Sequence, residues 1–292
     1  MSLSISKCRK DETLCDKDIF HMLFLDKKSS NLKKFNYRIH EFKGDNRSQT
    51  ADFITTDDRF SIATYHNGSF YFSDNNSINI YSTITRKLDI LYKVPGTYSV
   101  DAICVFMGKV YVFKRNSFVV IDPSTKKGET TAKTTEDRPF AACAIFGGRI
   151  VVSGGENTSR LTSRGPGPIK KSVEVYDHCA NSWHRMPDMI RERSHHASVS
   201  IKNKLYMIGG ADMCCRCEVY DSLSEVFVYI KSTYHLHDID FMFKNQYGIT
   251  GDKIMIYSKD DYRRATILDL EEEEWYQKYN NGAWNTYSRL CY

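Results

Sequence analysis

Three clusters in this 292-residue chain carry side chains able to do chemistry. Cys214, Cys215 and Cys217 form the densest group of thiols, and Arg216 among them would favour the thiolate, the form that attacks electrophiles and binds zinc. A zinc site would need a fourth ligand, with His178 or Cys179 as candidates, but no second paired-cysteine motif accompanies the cluster. Ordinary reduced thiols at a loop and strand start are the expectation, with redox sensing as the alternative. His195 and His196 adjoin, and Glu271 to Glu274 places four carboxylates in a row. Successive residues of a strand point to opposite faces, so the glutamates read as a solvated turn before Trp275 rather than as an acid–base pair. There is no phosphate-cradling Gly-Lys-Ser/Thr loop, no dinucleotide glycine pattern and no metalloprotease His-Glu signature. The expectation is no enzyme, no cofactor and no metal.

Charge and hydropathy exclude further classes. Lys and Arg number 41 against 36 Asp and Glu, a formal charge of +5, and the basic residues are scattered rather than gathered, so no nucleic acid partner is expected. No run approaches the length of a membrane span. Met1 to Arg9 lacks an apolar signal core, so a cytoplasmic location is expected. Nine cysteines at irregular spacing argue against a complete disulfide framework.

The elements that would position any site emerge from internal repetition. Short apolar runs follow Gly68, Gly108, Gly148, Asn203 and Asp252, at spacings of 40, 40, 55 and 49, a unit of about 40 residues with insertions. A second register agrees: a large residue followed by a polar one, then another large residue seven positions after the first. Tyr176 and Trp183, Tyr220 and Phe227, Leu268 and Trp275, Tyr81 and Leu88, and Phe35 and Phe42 obey it, whereas Ile121 meets Gly128. That makes six copies. Each reads as four short strands, in the fourth copy Ala141 to Phe146, Arg149 to Ser153, Ser172 to Tyr176, and Ser182 to Met186.

A four-stranded meander must bury its faces against neighbours, and radial stacking gives an all-β, six-bladed β-propeller. Gly154-Gly155 and Gly209-Gly210 would end second strands in sharp turns, and Ala102, Ala142 and Ala197 would suit crowded strands near the axis. Cys104 and Cys143 fall in first strands as small core residues. The first copy shows about three strands, His21 to Leu25, Leu32 to Phe35 and Ile39 to Phe42, while the tail Trp284 to Tyr292 has no role. Both deficits vanish if the C-terminal strand closes the ring in blade one.

Val173-Glu174-Val175-Tyr176-Asp177, Asn181-Ser182-Trp183, Met186-Pro187-Asp188-Met189, Arg193-Ser194-His195-His196-Ala197 and Leu205-Tyr206-Met207-Ile208-Gly209-Gly210 together form a signature. On these residues the chain resembles the kelch repeat family. The resemblance extends over residues 19–292, with the second, third and sixth copies lacking the double glycine. Some kelch proteins are copper oxidases, a likeness that here stops at the blades. Six blades with C-terminal closure look like the propeller of the BTB-BACK-kelch adaptors, which bring targets to cullin ubiquitin ligases. The resemblance therefore implies protein binding, with ubiquitin ligase components reached through a longer parent chain. The alternative is an actin-associated or other scaffold protein without a ligase role. Residues 1–18 would be a linker remnant or the natural start of a kelch-only protein.

In family propellers, partners meet the loops between second and third strands and those joining one blade to the next. Carried over, this surface gathers Arg115, Arg138, Arg164, Arg191, Arg193, Arg216, Arg263 and Arg264. Guanidinium forks match carboxylates, so a protein or short acidic peptide is the implied partner. The competing reading is solvated loop arginines, with Arg138 and Arg193 bracing the turns before an inner strand. The Glu156 to Lys170 insertion would cover the mouth or be simply tolerated.

Overall fold

The computed structural model describes residues 19–25, 35–43, 47–56, 62–74, 77–94, 100–157, 167–210, 217–230, 247–250, 253–257, 264–272, 274–279 and 286–289. Residues 1–18 lie outside that set. Among the described residues the chain is all-β and forms six antiparallel sheets. The first holds β1 (Ile19–Leu25), β2 (Phe35–Lys43) and β3 (Arg47–Thr56). The second holds β4 (Ile62–His66), β5 (Ser69–Ser73), β6 (Ser77–Ser82) and β7 (Lys87–Lys93). In the third are β8 (Ala102–Phe106), β9 (Lys109–Lys114), β10 (Ser117–Asp122) and β11 (Lys127–Thr130). The fourth consists of β12 (Ala142–Phe146), β13 (Arg149–Ser153), β14 (Val173–Asp177) and β15 (Ser182–Met186). The fifth is β16 (Ala197–Ile201), β17 (Lys204–Ile208), β18 (Cys217–Asp221) and β19 (Val226–Ile230). The sixth has five strands, β20 (Tyr247–Thr250), β21 (Lys253–Tyr257), β22 (Arg264–Asp269), β23 (Glu274–Tyr279) and β24 (Thr286–Arg289). Within each sheet the strands lie in sequence order, as local hairpins dictate.

The seven-residue spacing has a direct geometric cause. Across the hairpin between the third and fourth strands, Tyr81 faces Leu88, Ile121 faces Gly128, Tyr176 faces Trp183, Tyr220 faces Phe227 and Leu268 faces Trp275. The polar residue after the first member makes the turn. Asp122, Asp177, Asp221 and Asp269 each accept the backbone N–H two residues on, an Asx turn that fixes the register. Gly128, where the large residue is missing, is filled from outside: a Cβ there would lie 2.7 Å from the ring of Tyr92 in the preceding sheet.

Successive sheets stack on shared apolar clusters. Ile78 and Leu91 of the second sheet meet Ile103, Val112 and Ile121 of the third. Phe113 and Phe118 of the third meet Ile150, Val152 and Tyr176 of the fourth, whose Val173 and Val175 meet Leu205 and Met207 of the fifth. Val199 and Ile208 then meet Ile254, Leu268 and Trp275 of the sixth. Trp183 stacks on Phe118 with ring centres 5.4 Å apart at 20°, and its indole N–H donates to the Ala132 carbonyl at 2.9 Å. First strands adjoin from sheet to sheet, β4 with β8, β8 with β12 and β12 with β16, and β1 lies alongside both β4 and β20.

Two expectations fail at the chain's ends. The tail does not complete the first sheet beside β1; β24 pairs with β23 on the outer edge of the sixth. A link of only six residues, 280–285, makes that hairpin entropically cheaper to close than a return to the start of the chain. In the first sheet, Asn36 does not terminate a strand but lies within the continuous β2, and the polar stretch Arg47–Thr56 forms β3.

Trp183→Ala should lower stability in urea unfolding by about 3 kcal/mol, through lost stacking and an unfilled seam between sheets; a loss under about 1 kcal/mol would contradict that packing. The Asx turns predict an acid limb. The Ser124 hydroxyl holds the Asp122 carboxyl below its usual range, the Ala180 N–H does so for Asp177, and the Leu223 N–H for Asp221. Depressed carboxyls stabilise the fold above their unfolded value of 3.8, and that contribution fades as pH falls through the folded values. The double variant D177N/D221N should show a shallower loss of stability below about pH 4 than the parent; parallel curves would refute the assignment.

Candidate partner-binding face

In a four-stranded meander the loop from second to third strand and the connection to the next sheet fall at the same end. That end gathers Arg115, Asn116, residues 131–141, residues 154–157 with 167–172, and residues 187–196. Its foundation is a pair of equivalent ion pairs in the fourth and fifth sheets. Arg138 approaches β12, turns inward and donates from Nη2 to Glu174 of β14 at 2.6 Å and from Nη1 to the Ser172 carbonyl at 2.9 Å. Arg193 approaches β16 and donates from Nη2 to Glu218 of β18 at 2.7 Å and from Nη1 to the Gly209 carbonyl at 2.6 Å. All four charged side chains are within 1% of complete burial.

The carboxylates hold loops as well as arginines. Glu174 accepts the Thr135 hydroxyl at 2.6 Å and the Thr135 N–H at 3.1 Å. Glu218 accepts the N–H groups of Ile190 at 2.6 Å and Arg191 at 3.1 Å. Each connection between sheets is thereby tied to the third strand of the sheet it enters. The double glycine makes room for this: a Cβ on Gly154, at φ +61°, would lie 2.1 Å from the Arg193 carbonyl oxygen, which accepts the Gly155 N–H at 2.8 Å. The equivalent third-strand positions elsewhere are Asn79, Val119 and Thr266, so these other sheets lack the carboxylate.

Nearer the surface the charges are also matched. Arg115 meets Asp137 at 2.6 Å, and Asn116 donates to the same carboxylate at 2.7 Å. Lys170 pairs with Glu136, and this ammonium holds the Glu136 carboxyl below its usual range. Asp101 accepts the Arg115 and Phe140 N–H groups, at 2.8 and 2.7 Å. Phe140 and His195 occupy equivalent places before their inner strands. Both have positive φ, at 63° and 58°, and their rings stack at 4.3 Å. Glu156 accepts the Ser194 hydroxyl at 2.9 Å and lies 3.6 Å from His195 Nδ1.

These contacts revise the arginine set. Arg138 and Arg193, expected either to face a partner or to brace the turns before an inner strand, do the second: they are buried and paired with Glu174 and Glu218, because the turn points them into the sheet. The signal for this arrangement is a glutamate two residues before the third-strand tyrosine in the same copies that carry the arginine, Glu174 before Tyr176 and Glu218 before Tyr220. Arg191 donates from Nε to the Tyr229 hydroxyl at 3.0 Å, and no carboxylate pairs with its guanidinium among the described residues. Arg164, Arg216 and Arg263 lie outside the described residues, as do Cys214 and Cys215, and Arg264 opens β22 opposite Tyr279.

The other candidates fall as follows. Cys217 is buried at the start of β18, whereas His178 and Cys179 lie in a third-to-fourth-strand turn at the opposite end of the sheets, so neither can complete a zinc site with it. Cys104 and Cys143 are buried, and the Cys104 thiol is pushed well up, by its hydrogen bond with Cys143 and then by burial, which leaves it protonated. His196 is fully buried with Nε2 2.8 Å from the Ser153 hydroxyl. Glu271 and Glu272 lie exposed in the turn before Trp275, their N–H groups on Asp269. No helix among the described residues is long and apolar enough to cross a membrane.

Comparison with known proteins finds a likeness over one of the copies. Residues 137–190, which span the Arg138–Glu174 pair and the whole fourth sheet, match the kelch motif. The chain is 29% identical to spermatocyte protein spe-26 of Caenorhabditis elegans over 40% of its own length and 22% of that protein. The kelch repeat-containing protein kel-10 of the same organism is 32% identical over 38% of this chain and 19% of its own length. Beta-scruin of Limulus polyphemus is 37% identical over 26% of this chain and 8% of its length. The matched kelch region thus spans about a fifth or less of these relatives.

Glu174→Gln keeps the shape of the side chain but leaves Arg138 without its counter-charge. Breaking one partner of a buried pair should cost about 3–5 kcal/mol in urea unfolding, and a loss under about 1 kcal/mol would contradict the burial of this pair.

Proposed function

We propose that the six sheets are the blades of a closed kelch propeller that acts as a scaffold, actin-associated or otherwise structural, without a ubiquitin ligase role. Closure is supported by β1, which lies beside both β4 and β20, so the first sheet adjoins the second and the sixth without help from β24. The observation that carries the scaffold reading is the internal neutralisation of the loop face. Arg115, Arg138, Lys170 and Arg193 are matched by Asp137, Glu174, Glu136 and Glu218, so two arginines that an acidic recognition peptide would use are buried and two further cations are already paired. What is left is a rigid polar platform, with Phe140 and His195 stacked within it and Arg191 at its rim.

In this reading the partner docks on the loop face, with Arg191 contributing and Arg164, Arg216, Arg263 and Arg264 as further candidates. The test is to capture partners with the chain, identify them by mass spectrometry, and follow their half-lives when the chain is depleted. A scaffold leaves partner turnover unchanged. Slower partner turnover, with loss of ubiquitin conjugates, would restore the adaptor reading. For a captured partner, Arg191→Ala should weaken binding about threefold to tenfold, most at low salt, with thermal unfolding unchanged; equal affinity at every salt concentration would remove Arg191 from the site.

A further inference from the structure

The far end of the fourth sheet, opposite the loop face, carries beside the turn aspartate two further donors that the turn does not require. In the turn between β14 and β15, one ligand atom each of Asp177, His178 and Cys179 lies within 4.8 Å of the other two, with His178 Nε2 and Cys179 Sγ 3.4 Å apart. We propose that this turn is a zinc-class metal site, with the Asp177 carboxylate, the His178 imidazole and the Cys179 thiolate as ligands and water completing the coordination.

The spacing of the imidazole and the thiol suits the ion. Zinc binds sulfur at about 2.3 Å and imidazole nitrogen at about 2.0–2.1 Å, so tetrahedral ligands of those two kinds stand about 3.6 Å apart. The observed 3.4 Å is within a small side-chain adjustment of that value. Mixed oxygen, nitrogen and sulfur donors favour zinc and its transition-metal neighbours over magnesium or calcium, which take oxygen alone. The imidazole does not swing freely, because its ring meets Phe106 of the third sheet edge-on with centres 5.4 Å apart. On Asp177, Oδ1 is engaged by the N–H groups of Cys179 and Ala180.

The chain supplies its own comparison. The same turn forms after Asp122 with Pro123 and Ser124, after Asp221 with Ser222 and Leu223, and after Asp269 with Leu270 and Glu271. The aspartate is therefore explained by the turn, but a histidine and a cysteine behind it are not. Cys179 is an exposed thiol, in contrast to Cys104, Cys143 and Cys217. Binding would replace the thiol proton with the metal and release that proton to water.

Cobalt(II) titration of the full chain under reducing conditions tests the site, because thiolate ligation gives a sulfur-to-metal charge-transfer band. The wild type should develop that band and lose it on adding zinc. Cys179→Ser should abolish it, and His178→Ala should weaken binding by at least about tenfold, with thermal unfolding of both apo variants unchanged. A band that persists in Cys179→Ser would assign the metal to other thiols and overturn the proposal. Absence of any band in the wild type, or equal affinity in His178→Ala, would overturn it as well.

Discussion

A buried arginine in a loop must find its carboxylate inside the fold, and that requirement organises the loop face. Arg138 and Arg193 are too far from water for their charge to be tolerated alone, so Glu174 and Glu218 must sit within the buried part of third strands, between apolar neighbours. The carboxylates then have lone pairs left over, which fix Thr135, Ile190 and Arg191. The double glycine follows as a further consequence, since backbone from neighbouring sheets can approach this closely only where there is no Cβ. One electrostatic demand thus sets the path of the inter-sheet connections, the close contact of adjacent sheets and the positions from which surface loops depart.

The consequence for function is a change in what the face offers. An array of free guanidinium groups would attract acidic peptides from a distance and bind them through paired hydrogen bonds. Here Arg138 and Arg193 stabilise the platform instead, and the shallower Arg115 and Lys170 meet acids from the same loops. The recognition proposed for such a surface would depend on shape and on side chains at the rim, as in a stable structural contact.

Sequence legibility varied with how local each interaction was. The fourth copy was readable almost residue by residue, because Tyr176-Asp177 and Trp183 are bound together by one hairpin and its Asx turn. The first sheet was not: Asn36 lies within β2, and Arg47–Thr56 makes a strand without apolar alternation or a glycine anchor. The tail was misplaced because counting strands ignores the cost of loop closure, which favours the adjacent β23 over distant β1. Arg138 and Arg193 are legible as loop residues that either face a partner or brace the turns, and residue type alone does not give the direction. Their partners stand 36 and 25 residues later, and the Glu156 to Lys170 insertion hides that these are the same relation.

A double-mutant cycle on Arg193 and Glu218 measures the central interaction without relying on any partner. Arg193→Met and Glu218→Leu should each destabilise strongly, since each strands a buried charge, while the double variant should be more stable than the sum by at least about 2 kcal/mol. It should still fall short of wild type, because the N–H groups of Ile190 and Arg191 lose their acceptor. Additivity within about 0.5 kcal/mol would show that the two charges do not depend on each other and would contradict the account.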